Sequence, residues 1–256
     1  MKLRVVILLI LLAVIPIITY IQLSRIGTIE STELRAVVVD GLSDEFPNET
    51  LITKVKSYLE DIGFEVDVVP GHNLSVDTYR EILRSNYKVL IFRIHGGFHE
   101  EGNRVLVGLF SNEIYVPDKY RDEQKQGLVA IGRPFINPKK EVFAISPQFI
   151  KYYAKDLKGA IVMVFSCFSL YGYSMAKAFI DKGASIYIGW EGPIDPLVND
   201  YALERFSYYF FAKNHTVSEA ISKTSLDVLK VYKSRVILSY YPEDVSDLTI
   251  LDIIKR

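Results

Sequence analysis

Two residues of reactive type stand at the ends of apolar runs in this chain of 256 residues. His95 follows YKVLIFRI (87–94), and Cys167, the single cysteine, follows AIVMVFS (160–166). A thiolate is a nucleophile toward acyl groups, and a nearby imidazole lowers the thiol pKa or takes its proton during attack. The same imidazole can then protonate a departing amine. Gly96-Gly97 follows the histidine, and Ser169 and Gly172 follow the cysteine. Glycine lets the backbone come close to a substrate, so the N–H of Gly96, with that of Cys167, could form an oxyanion hole. Taken singly, each residue has a plainer reading. A lone cysteine after an apolar strand is often a small buried hydrophobe, and a strand-end His-Gly is often just a turn.

The elements that must position this pair alternate along the chain. Residues 34–40, 87–94, 160–166 and 184–190 read as buried strands, and 64–70 as an edge strand. Helical periodicity fills the intervals. Asn48 caps a predicted helix over 49–62 that stops at Gly63, and a second covers 77–86. Ser146-Pro147 opens a helix to 157, with serine as N-cap and proline at the first helical position. Further helices are predicted at 174–182, 197–213 and 217–232, and a last strand at 248–254. Residues 98–145 break the rhythm with Gly, Pro and short β-like pieces, and read as a hairpin-bearing insertion. Strand–helix repetition of this kind implies a three-layer α/β/α domain with a mostly parallel sheet. Ligands and catalytic groups in such folds sit at the carboxyl ends of the strands, where His95 and Cys167 both lie.

The amino-terminal run from Val5 to Leu23 holds no charged residue over 19 positions, close to the roughly 20 needed to cross a bilayer as a helix. Lys2 and Arg4 precede it. Residues 1–27 therefore read as an uncleaved signal anchor, with a cleaved signal peptide as the alternative, and the body outside the membrane under the positive-inside tendency. The expected location is the cell membrane, single-pass, with domain 28–256 extracytoplasmic. Three Asn-x-Ser/Thr sequons, at Asn48, Asn73 and Asn214, fit that side. Beyond residue 27 the chain has 27 basic against 31 acidic residues. This mildly acidic body lacks a basic footprint for nucleic acid. No spacing of Cys, His and carboxylates has a zinc-site pattern, and there is no phosphate-cradling glycine loop. Neither a metal nor an organic cofactor is expected.

The stretches IFRIHGG (91–97) and IVMVFSCFSLYG (161–172) resemble the His-Gly and Cys blocks of the caspase-like (clan CD) cysteine peptidases. That group includes caspases, legumain, clostripain, gingipains and CHAT domains. SMAKAFIDKGASIYIGWEGPID (174–195) and ALERFSYYFFAKNHTVSEAI (202–221) are similar to the segments that follow the cysteine in gingipain-like and CHAT-like members. The likeness runs from about Arg35 to Leu229. It implies a caspase-like fold and a dyad with His95 as base and acid, Cys167 as nucleophile, and Gly96 with the Cys167 amide as oxyanion hole. The implied partner is a protein or peptide substrate. Some members carry an aspartate two residues before the cysteine to bind a basic P1 side chain, where this chain has Phe165. The segment after the first strand offers Asp40 and Asp44 instead, each able to pair with Arg or Lys. Asp40 as a turn cap and Asp44 as a solvated carboxylate are the plainer alternatives. Trp190 is a candidate apolar wall of the specificity pocket, or ordinary sheet packing, and Glu191 and Asp195 are rim candidates. Within 98–145, Lys119, Arg121 and Lys125 are candidate sites of self-cleavage. Two other functions compete with peptidase activity: an inactive surface-binding or scaffolding module of the same fold, and a flavodoxin-like ligand-binding domain.

Overall fold

Residues 34–102 and 104–255 are described by a computed structural model. The predicted anchor over 1–27 lies outside them. Among the described residues, no helix is long and apolar enough to cross a membrane.

Among the described residues, ten strands form two sheets. The larger has the order β10-β9-β8-β3-β1-β2, built from β1 (Arg35–Asp40), β2 (Glu65–Pro70), β3 (Val89–Arg93), β8 (Ile161–Phe165), β9 (Ile186–Trp190) and β10 (Leu238–Tyr241). All neighbours run parallel except β10, which pairs antiparallel with β9. The smaller sheet, β4-β5-β7-β6, is antiparallel and comes from the insertion: β4 (Gly96–Glu101), β5 (Arg104–Ile114), β6 (Val129–Gly132) and β7 (Val142–Ile145), with the short helix α3 (Arg121–Lys125) between β5 and β6. It begins at Gly96, directly after His95, two residues before the insertion predicted from the sequence.

Successive strand residues point to opposite faces, and each face of the large sheet has its own core. On one side Leu90, Phe92, Val162 and Val164 pack under α2 (Val76–Arg84), α4 (Pro147–Tyr153), α5 (Ser174–Ile180) and the small sheet. On the other, Val89, Ile91, Met163 and Phe165 meet α1 (Glu49–Glu60), α6 (Pro196–Ser207) and α7 (Val217–Tyr232). In α1 the buried residues Leu51, Val55 and Leu59 recur every four positions, each worth about 1.5–3 kcal/mol by burial. Asn48 caps this helix through Leu51 N, and its Nδ2 donates to Asp200 at 2.9 Å. The side-chain amide of this sequon asparagine is thus engaged at both its oxygen and its nitrogen.

One element differs from its predicted type. Residues 248–254 hold no strand. Ile250–Ile254 is a short helix, α8, opened by a capping box between Thr249 and Asp252. The last strand is instead β10, where Leu238 lies opposite Trp190 in the ladder to β9.

Candidate active site

Strand register brings the two reactive residues together. β3 and β8 are parallel neighbours with Arg93 opposite Phe165, and the ladder runs on through Ile94 N to Phe165 O at 3.4 Å. His95 and Cys167 each lie two residues beyond that pair, at the carboxyl edge of adjacent strands. This edge adjoins the topological switch point, because β1 leads to β2 on one side and β3 to β8 on the other.

His95 is oriented by a carboxylate from the loop after β1. Its Nε2 donates to Glu45 Oε2 at 2.8 Å, and the other oxygen, Oε1, accepts from Lys140 Nζ at 2.9 Å. Burial pushes the Glu45 carboxyl up, but the bonds from Lys140 and His95 outweigh it and hold it below the usual value. With Nε2 so engaged, His95 Nδ1 has no hydrogen-bond partner among the described residues and is the nitrogen left for proton exchange. Glu45 did not stand out in the sequence, although its neighbours Asp40 and Asp44 did.

Tight turns fix the Glu45 loop. Ser43 N donates to Asp40 O, and Phe46 N to Leu42 O at 2.7 Å. Beneath it lies Arg93, fully buried, with Nε and Nη2 on Asp200 at 2.6 and 2.8 Å, Nη1 on Asp40, and Nη2 also on Phe46 O at 2.7 Å. Asp40, a candidate P1 contact by its place after β1, therefore has its carboxylate committed to Arg93 in the interior. Asp44 keeps a half-exposed side chain, near Ser43 Oγ and His72.

Cys167 sits in a turn pinned to β9. Ser169, buried, donates its hydroxyl to Val164 O at 2.7 Å and accepts from Trp190 N at 2.9 Å. Tyr187 Oη donates to Ser169 O, and Phe168 N to Gly192 O at 3.0 Å. Phe168 itself has φ of 59°, a left-handed conformation unusual for a bulky side chain. The thiol contacts the main chain of the loop after β9: Ile194 N donates to Sγ at 3.4 Å, and Sγ lies 3.5 Å from Ile194 O. Burial raises the Cys167 pKa above its ordinary value, more than these bonds lower it. Among the described residues no hydrogen bond joins His95 to Cys167.

The expected oxyanion donors lie at the junction of the two strand ends. A Cβ on Gly96 would meet Ser166 Oγ at 2.4 Å and Cys167 O at 3.0 Å, so only glycine fits without displacement. Phe110 N bonds His95 O, which makes Gly96 and Leu109 the next, non-hydrogen-bonded pair of the β4–β5 ladder. The Gly96 N–H therefore points away from β5. The Cys167 N–H donates to no carbonyl among the described residues.

Trp190 follows the sheet-packing reading of its two alternatives. It is 1% exposed, stacked edge-on against Phe165, with its indole N–H on Asn199 Oδ1 at 2.9 Å. It is core beneath the site. Asp195 caps α6 through Leu197 N at 2.8 Å. An aromatic flank that was not foreseen stands beside Cys167 instead, where Phe98 packs against Phe168 and Tyr171, each at 4.8 Å between centroids. No group of three His, Cys, Asp or Glu among the described residues is placed to hold a metal.

Among solved structures the chain is similar to the Arg-specific cysteine proteinase gingipain R (RGPB). The TM-score is 0.55 at 10% identity, over 86% of this chain and 48% of that one. This chain thus spans about half the length of its structural neighbour. It is also similar to protein GSU0716 from Geobacter sulfurreducens, with a TM-score of 0.40 at 7% identity, over 84% and 96% of the two chains. No protein-family model matches, and no curated protein sequence is significantly similar. At 10% identity the likeness to gingipain R establishes the class of fold alone, a gingipain-like α/β domain whose larger sheet is mostly parallel.

Proposed function

We propose that this chain is a cysteine endopeptidase of the caspase-like group, anchored by residues 1–27 with its catalytic domain outside the membrane. The observation that carries the reading is the register that sets His95 and Cys167 at the same edge of adjacent strands, with Glu45 orienting the imidazole. In this reading Cys167 Sγ attacks the scissile carbonyl carbon while His95 Nδ1 takes the thiol proton. The N–H groups of Gly96 and Cys167 receive the developing oxyanion. The C–N bond breaks as His95 returns the proton to the amine, leaving a thioester that water hydrolyses with His95 again acting as base. Glu45 keeps the exchanging nitrogen on the Cys167 side and stabilises the imidazolium. Cleavage after a basic P1 residue is supported by Asp44, whose half-exposed carboxylate lies in the loop after β1, and by the fold neighbour described as Arg-specific.

One observation favours a second reading, a non-catalytic binding module of the same fold. The thiol rests on Ile194 with its pKa raised, and has no bond to His95. Incubating the full-length protein in detergent with a mixed peptide library, beside Cys167→Ala, separates the two. Cuts made by the wild type and absent from the variant are expected, enriched after Arg or Lys. Identical patterns from both proteins would reject peptidase activity.

A further inference from the structure

We propose that Lys140, from the loop between β6 and β7, is a positioning residue that fixes Glu45 against His95. This rests on the peptidase reading of the same site. The two oxygens of one carboxylate are divided, Oε1 to Lys140 at 2.9 Å and Oε2 to His95 at 2.8 Å. A carboxylate held at only one oxygen is free to swing about its last side-chain torsion, and the second bond removes that freedom. The pair is also shielded: the Lys140 and Glu45 side chains are 28% and 26% exposed. Surface ion pairs gain little because water and salt screen them, and this one is two-thirds or more withdrawn from both.

The loop is built to deliver the ammonium there. Lys140 N donates to Asn137 O at 2.9 Å, closing a turn with Pro138 at its second position, where the ring presets the backbone. Asn137 N in turn donates to Pro134 O. Across the base of the loop, Arg133 Nε bonds Glu141 Oε1 at 3.0 Å, and Tyr115 N bonds Glu141 O. At the other end of the chain of contacts, Glu45 is held from below by Arg93 through Phe46 O. Lys140 thus ties the small sheet to the catalytic edge of the large one. Its distance from His95 in sequence hides this link.

The test uses full-length wild type, Lys140→Met, Lys140→Arg, Glu45→Gln and the Lys140→Met/Glu45→Gln double variant, assayed on a peptide the wild type cleaves. Losing a charge-assisted bond that orients the base is expected to lower kcat roughly tenfold in Lys140→Met with KM little changed. Lys140→Arg should recover most of the loss. Because Lys140 acts through Glu45, the methionine substitution should cost nothing further in the Glu45→Gln background. Equal kcat in wild type and Lys140→Met, or additive losses in the double variant, would overturn the proposal. If the wild type cleaves no peptide, the peptidase reading fails by itself. Lys140 is then judged by the imidazole nitrogen NMR shifts of His95. A protonated Nε2 in the wild type that gives way to mixed tautomers in Lys140→Met supports the positioning role, and unchanged shifts refute it.

Discussion

In the proposed dyad one imidazole nitrogen faces the nucleophile while Glu45 holds the other at 2.8 Å. Glu45→Gln retains the shape and removes the charge that stabilises an imidazolium. Its kcat is expected to fall by roughly tenfold or more, about 1.4 kcal/mol of transition-state stabilisation, in steady-state peptide hydrolysis. The same group sets a pH dependence of stability. Its pKa in the fold lies below the ordinary 4.5, so its contribution is complete above that value and is lost as pH falls through the folded pKa. Melting temperatures recorded below pH 4.5 should therefore drop more steeply for the wild type than for Glu45→Gln. The thiol works in the opposite sense. Alkylation of Cys167 by iodoacetamide in the folded protein should still be rising with pH at the ordinary thiol value of 9.0 and level off only above it, because burial disfavours the thiolate. His95 and Cys167 were legible in the sequence because each ends an apolar strand run. Glu45 was not, because only the return of the loop after β1 onto the end of β3 brings it to the imidazole. The same folding explains why Asp40, in the same stretch of sequence, belongs to the interior.

The elements around Cys167 work by close approach. Ser169 bonds β8 and β9 at once, and Gly189 leaves room for it: a Cβ there would meet Ser169 Oγ at 2.5 Å. Ser169→Ala leaves Trp190 N and Val164 O short of a partner. It should destabilise the fold by about 1–3 kcal/mol in urea titration. Gly96→Ala forces a methyl toward Ser166 Oγ and Cys167 O, and is expected to suppress Cys167 reactivity toward active-site probes more than it lowers stability. The parallel strands could be read from sequence because burial on both faces leaves a nearly continuous apolar run. The carboxyl-terminal elements could not. Residues 248–254 are apolar enough for a strand, but the Thr249–Asp252 capping box starts a helix. LSYY becomes β10 only through antiparallel pairing with β9, a contact between residues far apart in sequence.

Across the whole molecule, one buried ionic group ties the site to the fold. Arg93 joins β3 to Asp40 of β1 and Asp200 of α6, and Asn48 at the start of α1 completes the set through Asp200. Removing the guanidinium strands two buried carboxylates, so Arg93→Met should cost about 3–5 kcal/mol by urea unfolding. A loss under 1 kcal/mol would mean the cluster is solvated. Above this network, the ends of β3 and β8, the loop after β1 and the loop after β9 meet at His95 and Cys167, which the proposed peptidase uses as a unit. The most direct measurement is intact-mass labelling of the full-length protein by acyloxymethyl ketones bearing Arg, Lys, Asp or Asn at P1, with Cys167→Ala and His95→Ala alongside. The expected result is a single adduct on Cys167, fastest with Arg or Lys and lost in His95→Ala. Labelling equally fast without His95, or a thiol that reacts only after unfolding, would contradict a working dyad.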